Sequence, residues 1–312
     1  MSFELLNSLG KQRKPFLFIC DYKLQKIEVI LLDELEKADV EFKIKKNYAV
    51  KKHPHTLNST PISFSSYKNK FNKVIEKIKS GETYILNLTQ TTPIDSELSL
   101  SEMYKLANAE YKLRFKDEFV CFSPETFIKI KDNTIHTFPM KGTINAAKEN
   151  AKEIILADEK ELAEHIMIVD LLRNDLSIVA KNVKVEKFRY ISEVNAGDKN
   201  LLQVSSHISG TLENDWHEKI GDILKSLLPA GSITGAPKRS TVKIIEEIES
   251  YERGFFSGVF GVYDGETVDS AVMIRFIEKN KINFSYKSGG GITLDSNVTS
   301  EYNELQDKIY LP

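Results

Sequence analysis

Strand-like segments occur in consecutive runs along this 312-residue chain, and helical segments separate those runs. The stretches 118–123, 126–131 and 133–138 form one run, and residues 255–286 contain another. Helices are predicted over about residues 66–80 and 159–173, and Ser99 and Glu102 form a capping box that predicts another helix between them. A doubly wound parallel sheet would require strands and helices to alternate regularly. The order of elements therefore favours an α+β fold with antiparallel sheets.

Composition and charge are those of an ordinary globular chain. Hydrophobic residues make up 41% and charged residues 28%, so the chain can bury a large core, in one large unit or in two domains. The formal net charge of −2 argues against a protein that holds nucleic acid or an anionic membrane surface by bulk electrostatics.

Signals for a compartment point to the cytoplasm. No apolar run approaches the ~18 residues that span a bilayer. The stretch Phe16–Cys20 is too short for a secretion signal and is followed at once by Asp21. Two cysteines, Cys20 and Cys121, cannot form a disulfide framework, which fits a reducing compartment. We therefore expect a cytoplasmic protein.

The segment Lys51–Pro61 is polar and interrupted by prolines, which predicts a loop. It contains His53 and His55, which could suggest a metal site. No cysteine or further histidine lies nearby in the sequence, so a solvated loop is favoured over a metal site.

Two acidic pairs repeat the same spacing on two predicted helices. Glu161 and Glu164 project from one helix face, as do Glu301 and Glu304, and Lys308 follows Glu304 by one turn. Paired carboxylates repel each other unless a cation offsets them, and Mg²⁺ prefers hard oxygen ligands. Spacing by itself favours two solvated helix faces, so the residues alone leave both interpretations open.

Glycine-rich and lysine-containing segments need the same caution. The segments 231–238 (GSITGAPK) and 289–293 (GGGIT) match neither a nucleotide P-loop nor a dinucleotide fingerprint, and the second is predicted to be a turn that could face a ligand. Lys141 stands beside Gly142, and Glu125 lies between two strand-like runs. Surface positions are the simplest interpretation of this lysine and this glutamate, although a lysine in a closed site can act as a nucleophile.

Seven segments occur in one order along the chain: SPETF (123–127), FPMKGT (138–143), ELAEHIMIVDLLRNDL (161–176), LLPAGSITGAPK (227–238), RGFFSG (253–258), AVMIRF (271–276) and GGGITLDSNVTSEYNELQDK (289–308). In content and in order, these segments are similar to the chorismate-utilising enzymes, which include anthranilate synthase, aminodeoxychorismate synthase, isochorismate synthase and salicylate synthase. The resemblance implies an anthranilate synthase component I-like fold, with two packed antiparallel β-sheets and helices outside. It also implies that residues 1–60 are a reduced N-terminal region contributing to the same fold and that 61–312 form the chorismate-binding catalytic domain.

The resemblance reverses the interpretation of the acidic pairs. It implies that Glu161, Glu164, Glu301 and Glu304 surround one Mg²⁺, with Glu164 and Glu304 favoured as direct ligands. The metal would bind the ring carboxylate of chorismate and act as a Lewis acid.

The resemblance also assigns residues to the substrate. Arg275, Lys308 and the backbone of Gly291 would hold the enolpyruvyl carboxylate, which a guanidinium can meet with two hydrogen bonds. Gly142 and Thr234 would line the ring. These assignments come from the family and not from the spacing of the residues.

Lys141 distinguishes the subfamilies, because anthranilate synthases carry a small residue there and aminodeoxychorismate synthases carry lysine. The implied mechanism is covalent: Lys141 attacks C2 while Glu125, as general acid, protonates the departing C4 hydroxyl, and ammonia then displaces the lysine by attacking C4. We therefore expect aminodeoxychorismate synthase component I, an aminotransferring synthase that makes 4-amino-4-deoxychorismate for 4-aminobenzoate and folate. The alternatives are anthranilate synthase component I and a non-catalytic chorismate-binding subunit.

The ammonia source and three departures from the family complete the expectations. Neither cysteine is flanked by glycine, so a separate glutamine amidotransferase subunit is expected to supply ammonia. Ile85 stands where glutamine is usual, and its strand has no lysine to activate water. Gln203 stands where anthranilate synthases often have histidine, so His207 does not inherit that role, and Phe256 replaces a frequent tyrosine.

Overall fold

The structure is a computed structural model that describes residues 2–44, 57–196, 199–281 and 283–312. Most of the predicted loop at Lys51–Pro61, with His53 and His55, lies outside the described residues. No helix in the described ranges has both the length and the apolar character needed to cross a membrane.

Helices and strands follow one another without regular alternation. The α-helices are α1 Ser2–Lys11, α2 Phe64–Lys79, α3 Leu100–Leu106, α4 Ala151–Ala157, α5 Glu159–Val179, α6 Ile220–Leu227, α7 Lys238–Ile248 and α8 Val298–Asp307. The strands are β1 Phe16–Cys20, β2 Ile27–Leu31, β3 Val40–Ile44, β4 Asn58–Ser59, β5 Ile85–Asp95, β6 Tyr111–Phe115, β7 Phe119–Ser123, β8 Thr126–Lys131, β9 Thr134–Thr137, β10 Met140–Asn145, β11 Lys181–Ala196, β12 Lys199–Thr211, β13 Gly235–Ala236, β14 Val259–Tyr263, β15 Val268–Val272, β16 Phe276–Asn280 and β17 Asn283–Ile292.

The chain divides into two units, and each unit contains one antiparallel sheet. Every strand pairing in the described residues is antiparallel, which confirms the predicted α+β class with two antiparallel sheets. The proposed division of the chain at residue 60 stays a prediction. The first unit comprises Met1–Asp33, Glu125–Ser232 and Val259–Val272, and the second comprises Glu34–Pro124, Ile233–Gly258 and Met273–Pro312.

In the first unit the strand order is β10-β12-β9-β8-β15-β14-β1-β2, and β11 pairs with β12. Strand β1 lies between β14 and β2, and all five of its residues are buried. Its sequence FLFIC is continuously apolar because both faces of this strand are covered. Strands β11 and β12 form a long antiparallel ribbon, and β12 also pairs with β10, which carries Lys141.

Two glycines allow α1 and α6 to approach closely in the first unit. A β-carbon at Gly221 would lie 2.0 Å from the carbonyl oxygen of Phe3, and one at Gly10 would lie 2.0 Å from that of His217. The side-chain oxygen of Asn7 accepts a hydrogen bond from the Gly221 amide at 2.7 Å. Helix α1 was not predicted, and this packing explains how a short segment with an internal glycine forms a helix.

In the second unit the strand order is β13-β5-β17-β16-β7-β6-β3, and β4 pairs with β5. The prediction of a turn at GGGIT is wrong, because Gly289 to Ile292 belong to β17. Gly289 pairs with Thr89, and a β-carbon there would lie 2.6 Å from the Leu88 carbonyl oxygen. The glycines therefore serve close approach of two strands, and not a chain reversal.

Helix caps in the second unit follow the sequence signals. Ser99 and Glu102 form the predicted capping box at the start of α3, with the Ser99 amide donating to the Glu102 carboxylate at 2.8 Å. Ser63 caps α2. The apolar face of α2, which includes Tyr67 and Val74, packs in a core with residues of α7, β5 and β17. These helices match their predicted positions because their caps and apolar periodicity agree.

We expect Gly221→Ala to lower the free energy of unfolding by about 1–3 kcal/mol, because the new methyl group must push α6 away from the Phe3 carbonyl. Denaturant unfolding followed by circular dichroism measures the change. Ser226→Ala, on the exposed side of the same helix, is the control and should leave the unfolding midpoint nearly unchanged. Equal midpoints for the wild type and Gly221→Ala would contradict the packing argument.

Candidate active site

Lys141 and Glu164 form an ion pair in the first unit. Strand β10 carries the lysine and helix α5 carries the glutamate, and Lys141 Nζ lies 2.6 Å from Glu164 Oε2. The Glu164 side chain is only 4% exposed, whereas Lys160, one turn earlier on the helix, lies 3.7 Å from it and is 44% exposed. A buried carboxylate requires such a partner. Lys141 therefore holds a defined position beside an acidic group.

Glu161 lies one turn before Glu164 on α5, next to the backbone of Gly142. Gly142 has a φ of +87°, and a β-carbon there would lie 3.1 Å from Glu161 Oε2. Glycine is the residue that tolerates both the positive φ and the close approach. Burial raises the pKa of the Glu161 carboxyl, as does the nearby Glu164, while Lys141 opposes the rise.

One buried oxygen of Glu161 suits a cation. Glu161 Oε2 has no hydrogen-bond partner among the described residues, although it is buried. Carboxylate oxygens are the ligands that Mg²⁺ prefers, so Glu161 and Glu164 fit the implied metal. Within the described ranges, no group of three or more His, Cys, Asp or Glu side chains is arranged to hold a metal ion.

His165, directly after Glu164, was not singled out from the sequence. It is fully buried, and its Nε2 lies 2.7 Å from the Ser206 hydroxyl, which also accepts a hydrogen bond from the Arg189 amide at 3.0 Å. Burial lowers the pKa of His165 to about 4, and Arg189 and Lys141 add to the effect, so the ring is neutral at pH 7. The neutral ring adds no positive charge beside the Lys141–Glu164 pair.

Glu125 directly precedes β8 in the first unit. Its backbone carbonyl accepts a hydrogen bond from the Val272 amide at 3.1 Å, and its carboxylate accepts a short hydrogen bond from the Ser232 hydroxyl. The sequence pointed to Glu125 but not to Ser232, although Ser232 lies in the glycine-rich segment GSITGAPK. The hydroxyl holds the carboxyl group in one orientation.

In the second unit, α8 and its C-cap residue Lys308 bring three charged groups next to the glycine segment of β17, residues 289–291. Lys308 Nζ lies 2.7 Å from Glu304 Oε1 and donates a hydrogen bond to the Gly289 carbonyl at 2.7 Å. A β-carbon at Gly290 would lie 3.4 Å from Glu301 Oε2, 3.7 Å from Lys308 Nζ and 3.8 Å from Glu304 Oε1. The helical spacing thus places Glu301, Glu304 and Lys308 together, as the sequence predicted.

Thr234 and Gly291 both lie next to Asn87 of β5. Thr234 is fully buried, and its carbonyl accepts a hydrogen bond from the Asn87 amide at 2.8 Å. Gly291 is the partner of Asn87 in the pairing of β17 with β5. Arg275 has a φ of +49°, and its guanidinium lies 5.0 Å from the centre of the Tyr310 ring.

The three departures from the family have defined positions. Ile85 is buried in β5, and Gln203 is the partner of Thr143 in the pairing of β12 with β10. Phe256 is buried in the second unit, with its ring centre 6.0 Å from that of Phe276. Phe256 therefore contributes to apolar packing.

Comparison with known proteins finds a matching family model and similar proteins that cover almost all of this chain. A family model described as "chorismate binding enzyme" matches residues 10–311. An "Uncharacterized PabA-like protein" of Haemophilus influenzae is 47% identical to this chain, and the match covers 99% of this chain and 95% of the length of that protein. Aminodeoxychorismate synthase component 1 of Bacillus subtilis is 29% identical to this chain, and the match covers 93% of this chain and 62% of the length of that protein.

A solved structure agrees with this assignment. Anthranilate synthase component I from Streptococcus pneumoniae matches with a TM-score of 0.70 and 25% identity, over 82% of this chain and 59% of that one. The predicted resemblance is confirmed, as is the fold that it implied. The matched region includes all seven segments on which the resemblance rests. The chain belongs to the chorismate-binding enzyme family.

Proposed function

We propose that this chain is aminodeoxychorismate synthase component I, which converts chorismate and ammonia to 4-amino-4-deoxychorismate. The observation that carries the proposal is Lys141 on β10, whose ammonium group is held 2.6 Å from Glu164. The resemblance to the chorismate-utilising enzymes implies that lysine at this position marks the aminodeoxychorismate synthases. The likeness to the Bacillus subtilis relative supports the same assignment.

The proposed reaction has two displacement steps. Lys141 must first lose a proton, because only the free amine is nucleophilic. Its nitrogen then bonds to C2 of chorismate as the C4 hydroxyl departs with a proton from Glu125, which Ser232 orients. Ammonia then attacks C4 while the bond between C2 and the lysine nitrogen breaks, which restores the Lys141 amine, and the Glu125 carboxylate takes up the proton that the added nitrogen loses.

Mg²⁺ is part of the proposal. Glu161, Glu164, Glu301 and Glu304 would hold the ion, an assignment that rests on the family resemblance and on the carboxylate chemistry of both pairs. When bound, the metal would supply Lewis-acid polarisation of the substrate. As the resemblance implies, Arg275, Lys308 and the backbone of Gly291 would bind the enolpyruvyl carboxylate, and Gly142 and Thr234 would line the ring.

Ammonia is proposed to come from a separate glutamine amidotransferase subunit. Glutamine hydrolysis needs a reactive thiolate, which requires a lowered thiol pKa. Burial instead raises the pKa of Cys20 to about 12, and it raises the pKa of the fully buried Cys121 as well. Neither cysteine is suited to that chemistry, so we propose a two-component enzyme whose second subunit hydrolyses glutamine. We further propose that this enzyme is cytoplasmic and serves 4-aminobenzoate and folate synthesis.

Anthranilate synthase component I is the second candidate. The likeness to the Streptococcus pneumoniae structure favours it, and the two activities share chorismate as substrate in the family. The two candidates differ at position 141, where a lysine nucleophile is expected only in aminodeoxychorismate synthase. A non-catalytic chorismate-binding subunit would bind chorismate without turning it over.

With chorismate, MgCl₂ and an ammonium salt, we expect the purified chain to form 4-amino-4-deoxychorismate. Liquid chromatography with mass spectrometry identifies the product. A reaction without ammonium is the control for non-enzymatic decay of chorismate. Anthranilate as the main product would assign the second candidate function, and unchanged chorismate would favour the binding subunit.

We expect Lys141→Ala and Lys141→Arg to lower kcat by about 10²-fold or more, because neither side chain supplies a free amine at neutral pH. Lys160→Ala is the matched control, since Lys160 also lies near Glu164 and should change kcat by less than about twofold. Intact-mass spectrometry of the quenched wild type should detect a Lys141 adduct. Wild-type turnover by Lys141→Arg would contradict a nucleophilic role.

We expect Glu161→Gln to raise the MgCl₂ concentration needed for half-maximal rate by about tenfold, because the change removes a buried anionic oxygen. Glu159→Gln, exposed in the first turn of the same helix, is the control. Titration of each variant with MgCl₂ after treatment with a chelator measures the effect. The same midpoint for both variants would exclude Glu161 from metal binding.

A further inference from the structure

A buried ion pair joins Arg253 to Glu249 in the second unit, outside the residues assigned to the reaction. Arg253 Nε donates to Glu249 Oε2 at 2.8 Å, and its Nη2 donates to Oε1 at 2.6 Å. Both side chains are only 2% exposed. The pair follows the last turn of α7. This bidentate arrangement fixes the plane of the guanidinium.

The remaining donors of Arg253 bind two backbone carbonyls. Its Nη1 donates to the Ile233 carbonyl at 2.9 Å, and its Nη2 also donates to the Asn87 carbonyl at 2.8 Å. Ile233 directly precedes Thr234, whose own carbonyl accepts from the Asn87 amide. The guanidinium therefore ties the segment that ends in Thr234 to strand β5.

Glu249 extends the same connection along β5. Its Oε1 accepts hydrogen bonds from the Thr89 amide at 2.8 Å and from the Thr89 hydroxyl at 2.7 Å. Thr89 is the strand partner of Gly289, and Asn87 is the strand partner of Gly291. The ion pair thus anchors β5 opposite both ends of the glycine segment of β17.

Stability alone does not explain a buried ion pair at this position. Removing two charges from water is expensive, and an apolar pair of similar volume is often as stable. A guanidinium differs because its donors have a rigid planar geometry that neither lysine nor an apolar side chain reproduces. Here the guanidinium donates to one carboxylate and to two backbone carbonyls, which belong to the chain neighbour of Thr234 and to the strand partner of Gly291.

We propose that Arg253, oriented by Glu249, is a positioning residue for chorismate, which sets the backbone at Thr234 and Gly291 without touching the substrate. The inference rests on the proposed function, because that function assigns Thr234 and Gly291 to substrate binding. Without the planar guanidinium, the two backbone carbonyls it holds shift slightly from their positions. The affinity for chorismate then falls, while the rate of the chemical step changes little.

Arg253→Lys tests the proposal against a matched control, Arg114→Lys. Arg114 also bonds two carboxylates in the second unit, those of Asp39 and Glu41, each at 2.7 Å, but on strand β6. We expect Arg253→Lys to raise KM and the calorimetric Kd for chorismate by about tenfold, with kcat within about threefold and KM for ammonium unchanged. Arg114→Lys should lower Tm and leave all these constants unchanged.

Glu249→Gln is a second, milder variant that keeps the side-chain shape, and hydrogen exchange adds a readout independent of turnover. Both variants should speed exchange of the backbone amides in residues 85–91 and 231–236. Wild-type Kd for chorismate in Arg253→Lys or Glu249→Gln would overturn the inference, as would an equal rise in Arg114→Lys. If the wild type binds chorismate but yields no aminated product, the proposed function fails while the Kd comparison still decides the role of Arg253.

Discussion

A buried carboxylate persists only where positive charge or hydrogen-bond donors offset the cost of leaving water, and this constraint explains the surroundings of Glu164. In the first unit, Lys141 offsets Glu164, while Glu161 keeps a buried oxygen without a hydrogen-bond partner in the part of the chain described. In the second unit, Lys308 pairs with Glu304, whose side chain is 54% exposed and stays in contact with water. Each acidic pair therefore comes with a lysine of its own unit.

Backbone geometry at glycines contributes in each unit separately. Glycines permit approaches that a β-carbon would prevent, at Gly142 beside Glu161 and along the glycine segment opposite β5. Glycine by itself leaves the backbone free to move, so other groups must restrict it. The Arg253–Glu249 pair does this in the second unit, because four of its hydrogen bonds end on residues of β5 or on the segment before Thr234.

Elements with agreeing local signals were predictable. Helix α3 has a capping box, and α2 has an N-cap serine and an apolar face, so the positions of both follow from short-range chemistry. Helix α1 was missed because its stability depends on packing against α6, to which Gly10 and Gly221 contribute close contacts. The glycine segment was mistaken for a turn because local rules cannot see the strand that lies beside it.

The sequence by itself determined the α+β class, the family, the two acidic pairs and the identity of Lys141, because these depend on residue order and on spacing within one helix. Only the tertiary structure decided that Lys141 meets Glu164, that Ser232 bonds Glu125, and that Arg253 holds Asn87 and Ile233. Those partners are separated by 20 to 166 positions in the chain, from Arg253–Ile233 to Arg253–Asn87. Contacts at such separations depend on strand pairing and burial, which no local pattern specifies.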